Sequence, residues 1–270
     1  MKYLIEKYKS SSDRGSLDKG SFYINKVKSL VKTNTSDNYE AFSECLGSRI
    51  FKFIGDYPVI SYSLIDASIF EDYFDIKGDF RYLCYSNKYK YKLVNFMTGI
   101  LRMSETDENL MERNVFDIEE LFELLKFDFN QFYFMLVGDA LIGNEDRHMN
   151  NFDFYYNEEG DPKLAPILDF GRSMLYDVMD SSLDTIDVFN DKKYDRSEPL
   201  SSTHKEQIEF IKNKYGVRKV VKSDYESFKN FILNDNEDLF SIISDTRALK
   251  VKEYLLHRYK VYVEQFEIER

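Results

Sequence analysis

The chain has no tryptophan, only two cysteines and only three histidines in 270 residues. Cys45 and Cys84 are too few and too far apart for a disulfide framework, and His148, His204 and His257 do not supply the convergent ligands of a zinc site. Both cysteines read as small buried apolar residues, and the compartment implied is a reducing cytoplasm. Positive charge is also short, with 37 Lys and Arg against 48 Asp and Glu, a net charge of −11. Phosphate contacts need clustered Lys and Arg, so this balance argues against nucleic acid or an anionic membrane as a main partner. No stretch approaches the roughly 20 apolar residues of a membrane-spanning helix. The opening Met1–Tyr8 segment gains charge too early to form the apolar core of a signal peptide.

What is present is a globular composition, 43% hydrophobic and 31% charged, with 21 Tyr and 23 Phe filling the core. The length accommodates one large domain or two lobes. Apolar and polar residues alternate from Tyr3, break over the serine-rich residues 10–16, and resume at Phe22–Val27, which reads as an antiparallel hairpin. Glu40–Ile54 carries Phe42, Cys45, Leu46, Ile50, Phe53 and Ile54 at helical spacing and ends at Gly55. Tyr57–Ile65 and Phe80–Tyr85 read as two further strands, so the first third has the order β, β, α, β, β. Helices follow over Phe116–Phe127, Phe129–Leu141 (capped by Asp128), His204–Lys214, Tyr225–Leu233 and Thr246–Phe266. Phe152–Tyr156 and Leu164–Leu168 form a second hairpin around the turn Asn157–Asp161. The acidic run Glu105–Glu123 reads as a solvated helix face and its approach. The expected architecture is α+β and bilobal: a small β-rich lobe at 1–88, a larger helical lobe at 89–270, and a hinge near 84–92 that puts Cys84 among the nucleotide-contacting residues.

The chemistry is concentrated in residues 144–171. Asp146 and Asn151 are five apart, and Asp169 opens an Asp-Phe-Gly 23 positions after Asp146. Phosphoryl transfer asks a protein for little covalent work; it needs a carboxylate to orient the incoming hydroxyl, oxygen ligands for Mg²⁺ and exclusion of water. Asp146 suits the first task. Asn151 and Asp169 suit the second, because Mg²⁺ takes one or two carboxylates plus phosphate and water oxygens. His148 reads as a structural histidine bonded to backbone or to Asp169, and Arg147 as support for a neighbouring carboxylate.

The run Ile142–Phe152, read with Ala165-Pro166-Ile167-Leu168-Asp169, resembles the signature of the HipA-like serine/threonine kinases, the toxins of bacterial toxin–antitoxin modules; phosphatidylinositol kinases share a looser form. The resemblance is strong over 139–173 and weaker over 20–55. It implies a bilobal kinase-like fold, ATP and Mg²⁺, catalysis by Asp146, and metal binding by Asn151 and Asp169. It also implies a protein substrate and an antitoxin or accessory protein from a neighbouring gene, since the chain begins shortly before the presumed phosphate loop, as short single-module members do.

For the α- and β-phosphates the chain must supply a lysine, and Lys26, flanked by Ile24 and Val27, is preferred to Lys28, which shares its strand face. Glu44 is its expected helix partner, as in protein kinases. The phosphate-cradling loop holds Ser11, Ser12, Gly15 and Ser16, with only Gly15 and Gly20 in place of a glycine-rich motif, which argues against a eukaryotic-type kinase. The resemblance implies autophosphorylation on Ser10, Ser11, Ser12 or Ser16. No Ala-Pro-Glu follows Asp169-Phe170-Gly171, so control by activation-loop phosphorylation is not expected. Two rivals remain: a kinase for a small molecule, of aminoglycoside or phosphatidylinositol type, and a non-catalytic nucleotide-binding module.

Overall fold

Asn25 and Lys26 both adopt left-handed φ (51° and 69°) and close a two-residue turn between β2 (Lys19–Ile24) and β3 (Val27–Lys32). Positive φ at both central positions is the requirement of the tight hairpin turn whose twist matches the flanking strands. The computed structural model describes residues 5–8, 19–34, 38–74, 81–96, 127–149, 151, 153–185, 187, 189, 195–198, 200, 203–217, 219–264 and 266. Within them β1 (Ile5–Tyr8), β4 (Tyr62–Asp66) and β5 (Tyr82–Asn87) complete an antiparallel sheet in the order β1-β2-β3-β5-β4. The helix α1 (Tyr39–Ile54) falls between β3 and β4 in the chain. The observed order is thus β, β, β, α, β, β, one strand more than the sequence reading, which ended the second strand at Val27.

A second, three-stranded sheet is built from β6 (Val94–Asn95), β7 (Asp153–Tyr156) and β8 (Pro162–Leu164). Between β6 and β7 in the chain comes α2 (Phe129–Ile142), capped by the Asp128 carboxylate accepting the Asn130 N–H, as expected. Helices at His204–Tyr215, Tyr225–Asn234 and Asp245–Arg258 follow, and the last passes into a π turn at Tyr259–Glu264. The helix expected over 116–127 falls almost wholly outside the described residues. The expected strand Leu164–Leu168 is shorter: after Ala165, whose N–H still bonds to the Asp153 carbonyl (2.9 Å), the chain leaves β7, and Ile167 bonds instead to Pro58 and Ile60 (both 2.9 Å). Pro166 has no N–H to continue a ladder. Among the described residues no helix is long and apolar enough to cross a membrane.

One core joins the two halves. α1 and α2 are both buried nearly all round, and Phe42, Leu46, Ile50, Phe51, Phe134, Val137 and Leu141 lie in the same cluster as Phe170. Gly47 is what lets Phe170 in: a Cβ there would stand 2.6 Å from the Phe170 Cβ and 2.8 Å from its Cγ. Helix propensity alone would favour Gly47→Ala by about 1 kcal/mol. The substitution should instead destabilise the protein by about 1–3 kcal/mol, as overpacked cores do; urea unfolding of the two proteins checks this.

Candidate active site

The site begins with a lysine that the sequence reading passed over. Lys32, the last residue of β3, is buried, and its ammonium is bonded to the Glu44 carboxylate and, at 2.8 Å, to Asp169 Oδ1. Lys26 does not occupy this place. It sits exposed in the β2–β3 turn, and Lys28 is exposed over the ring of Tyr23. The pairing expected between Lys26 and Glu44 is therefore made by Lys32. Lys19 stands directly across from Lys32 in the β2–β3 register, so the two side chains share a face of the sheet.

Glu44 belongs to a stripe of α1 that faces the segment after Asp169. Its second oxygen accepts the Phe170 N–H at 2.9 Å, Ser43 Oγ and the Tyr39 hydroxyl donate to the Ser173 carbonyl at 3.4 and 3.5 Å, and Glu40 accepts the Tyr176 hydroxyl at 3.3 Å. Positions 40, 43, 44, 47 and 51 recur at three- and four-residue intervals, one helix face. Through it the first sheet's helix grips the Asp-Phe-Gly segment of the other half.

Burial disfavours the charge on Lys32, but Asp169 and Glu44 more than offset it and raise its pKa well above the ordinary value. Burial likewise works against ionised Asp169; the Lys32 ammonium outweighs it, with Lys19 and Arg147 adding to the effect, and holds this carboxyl well below the usual range. For Glu44, burial prevails over Lys32 and the pKa is raised. Cys84 is also in this layer, in the middle of β5 and opposite Lys32, with its thiol pushed well up by burial and by Glu44. It lies inside the sheet rather than at a linker, because the strand continues to Asn87.

The loop bearing Asp146 is held from below. α2 ends at Gly143, whose left-handed φ of 64° caps the helix while its N–H bonds to the Asp139 carbonyl. Arg147 is 1% exposed and forks onto Asp139 (Nε–Oδ2 2.8 Å, Nη2–Oδ1 3.0 Å). Its Nη1 donates to the carbonyls of Asn151 (2.7 Å) and Leu168 (2.5 Å), and Nη2 to that of Asp169 (3.3 Å). One guanidinium therefore fixes the backbones of Asn151 and Asp169 together. Asn144 adds bonds to Asp139 Oδ1 (2.9 Å) and to the Asp169 carbonyl (3.4 Å), and its own oxygen accepts the Asp146 N–H (3.2 Å). These bonds explain how Asp169 holds a left-handed φ of 67°, a conformation that costs an ordinary residue about 1 kcal/mol or more.

Asp146 itself is one-third exposed. Asn151 Nδ2 donates to its carbonyl (2.5 Å) and its Oδ2 (3.2 Å), Arg172 Nη1 lies 3.4 Å from Oδ1, and His148 Nε2 lies 3.8 Å from Oδ1. His148 thus stands beside Asp146. Ser11, Ser12, Gly15 and Ser16 fall between β1 and β2 and outside the described residues.

The donor set suits Mg²⁺. With Nδ2 turned to Asp146, the Asn151 amide oxygen has no hydrogen bond among the described residues, nor has Asp169 Oδ2, while Asp169 Oδ1 is taken by Lys32. Two hard oxygens on neighbouring, rigidly held backbones are what an Mg²⁺ ion shared with phosphates takes from a protein.

No protein-family model matches the chain, and no curated protein matches it. Solved structures do. The proinflammatory kinase CtkA of Helicobacter pylori superposes with a TM-score of 0.57 over 97% of this chain and 94% of its own, at 18% identity. The fold is that of the HipA-like kinases. HipA of Shewanella oneidensis MR-1, from its complex with HipB and operator DNA, superposes with a TM-score of 0.51 over 96% of this chain and 68% of its own, at 14% identity. The α+β kinase-like architecture read from the motifs is therefore the observed one, and at such identities the likeness is one of fold.

Sequence reasoning missed Lys32, Lys19 and Asp139. The available signal for Lys32 was Val27–Lys32 itself, a β-rich run straight after an Asn-Lys turn. Removing one partner of a buried ion pair costs about 3–5 kcal/mol because the other is left uncompensated, while replacing both is far milder. Arg147→Met should destabilise the protein by that amount, and Asp139→Leu combined with it should recover most of the loss; thermal unfolding of single and double variants reads both.

Proposed function

We propose that the chain is an Mg²⁺- and ATP-dependent phosphotransferase acting on a protein serine or threonine hydroxyl, in the manner of the HipA-like kinases. The observation that carries the reading is the joining of Lys32, Glu44 and Asp169 beside Asp146 and Asn151. In this reading residues 1–88 and 89–270 are the two lobes, and the nucleotide lies between them. Lys32 and Lys19 present positive charge to the phosphates, and Glu44 holds Lys32 in place. Mg²⁺, bound by Asn151 and Asp169, would neutralise phosphate charge. Asp146 accepts the hydroxyl hydrogen bond and takes the proton as the oxygen attacks. Its carboxylate, one-third exposed, is open to an incoming acceptor, whereas Lys32 and Glu44 are buried. By analogy with HipA, we extend the reading to a growth-regulating cytoplasmic enzyme with an antitoxin-like protein partner and autophosphorylation within residues 10–16.

Asp146→Asn should lower phosphate transfer by about 10²-fold or more, the range of a lost general base, while leaving the fold and ATP affinity near wild type. Lys32→Met should weaken ATP binding and transfer together, and Lys26→Ala should change neither. Transfer of labelled phosphate to the chain itself and to lysate proteins, with calorimetric titration of ATP, separates these cases. Undiminished transfer by Asp146→Asn, or loss with Lys26→Ala, contradicts the assignment.

A further inference from the structure

Arg172 has no role in the reaction as described so far, yet its place in the fold is closely specified. The residues around it are buried: Gly171, Ser173 and Met174 all lie in the interior. Met174 N–H bonds to the Ile142 carbonyl (2.8 Å), Ser173 Oγ to the Phe170 carbonyl (2.7 Å), and the Arg172 carbonyl accepts the Glu145 N–H (3.4 Å). Its side chain alone leaves this packed backbone, 56% exposed, with the guanidinium carbon 5.6 Å from the centre of the Tyr176 ring and Nη1 3.4 Å from Asp146 Oδ1. A packed base carrying an exposed cation beside the Asp146 carboxylate is the result.

The electrostatics give that cation a task. A phosphoryl group moving towards Asp146 meets the negative charge of that carboxylate, which is one-third exposed. Lys32 and Lys19 serve the α- and β-phosphates in the reading above, and Arg147 lies beneath the loop with its donors on Asp139 and backbone carbonyls. Among the described residues, Arg172 is therefore the permanently charged group paired with Asp146 on the open side. Its contact with Asp146 is long and solvent-exposed, so it is weak and exchangeable. Negative charge in the transition state spreads over the three equatorial oxygens, and a planar guanidinium can meet two of them at once.

Resting on the phosphotransferase reading, we propose that Arg172 is a catalytic residue that leaves Asp146 to pair with the transferring phosphoryl group. The acceptor oxygen forms its bond to phosphorus, the bond from phosphorus to the bridging oxygen of ADP breaks, and the hydroxyl proton passes to Asp146. Arg172 stays protonated throughout.

The test compares the whole chain with Arg172→Gln and Arg172→Lys in three measurements: ATP affinity, transfer from labelled ATP, and affinity for ADP with aluminium fluoride, which mimics the transferring group. Arg172→Gln should bind ATP within about threefold of wild type yet lose on the order of 10³ in turnover, the scale of an arginine that stabilises transferring phosphate. Its affinity for ADP–aluminium fluoride should fall by a similar factor, with Arg172→Lys between the two. Turnover kept or raised in Arg172→Gln overturns the proposal, the latter marking an inhibitory contact instead. So does a turnover loss with unchanged ADP–aluminium fluoride affinity, which marks a residue that only positions Asp146. Failure of the wild-type chain to bind ATP would bring down the phosphotransferase reading itself, and this assignment with it.

Discussion

A buried ammonium between two carboxylates governs this structure. Lys32 can be charged in the interior only because Glu44 and Asp169 reach it from two other elements, and leaving any one of the three alone there would be expensive. Satisfying that constraint sets the end of β3, the rotation of α1 that turns Glu44 inward, and the approach of the Asp169 segment from the other half of the chain. The aromatic packing follows the same geometry. Phe170 enters α1 at Gly47 and meets Phe51 with ring centres 5.0 Å apart, directly behind the Phe170 N–H that Glu44 accepts.

A second network, centred on Arg147, shares Asp169 with the first. The side chain of Asp169 answers to Lys32, while its backbone carbonyl answers to Arg147 and Asn144. A residue held at both ends tolerates the left-handed backbone it adopts, and its remaining carboxylate oxygen is aimed by the structure rather than by chance. Asp139 closes the arrangement by fixing the guanidinium on α2, so the loop, the Asp-Phe-Gly segment and the two central helices are braced as one unit.

Much of this was legible in the sequence because short segments carried it. The spacing of Asp146, Asn151 and Asp169 lies within one stretch of chain, and the α1 and α2 stripes were long enough for their boundaries to fall within a residue or two of those observed. What was not legible depended on long-range pairing. Lys32 lies beyond a strand that reads as ending at Val27, since the turn at Asn25–Lys26 lacks the glycine that usually marks one, and without that turn β3 disappears into β2. Glu44 reads as a lysine's partner, but nothing in α1 marks Glu40 and Ser43 as facing the segment after Asp169, because an amphipathic pattern cannot tell water from a second lobe. Asp139 lay inside an apolar helix, where its only signal was the arginine eight residues later.

The most direct test of the account is a crystal structure of the chain with Mg²⁺ and a non-hydrolysable ATP analogue. Lys32 should then contact the phosphates while still held by Glu44, with the metal on Asn151 and Asp169 and Asp146 facing the terminal phosphate. An analogue bound elsewhere, or phosphates held by Lys26 with Lys32 uninvolved, would contradict it.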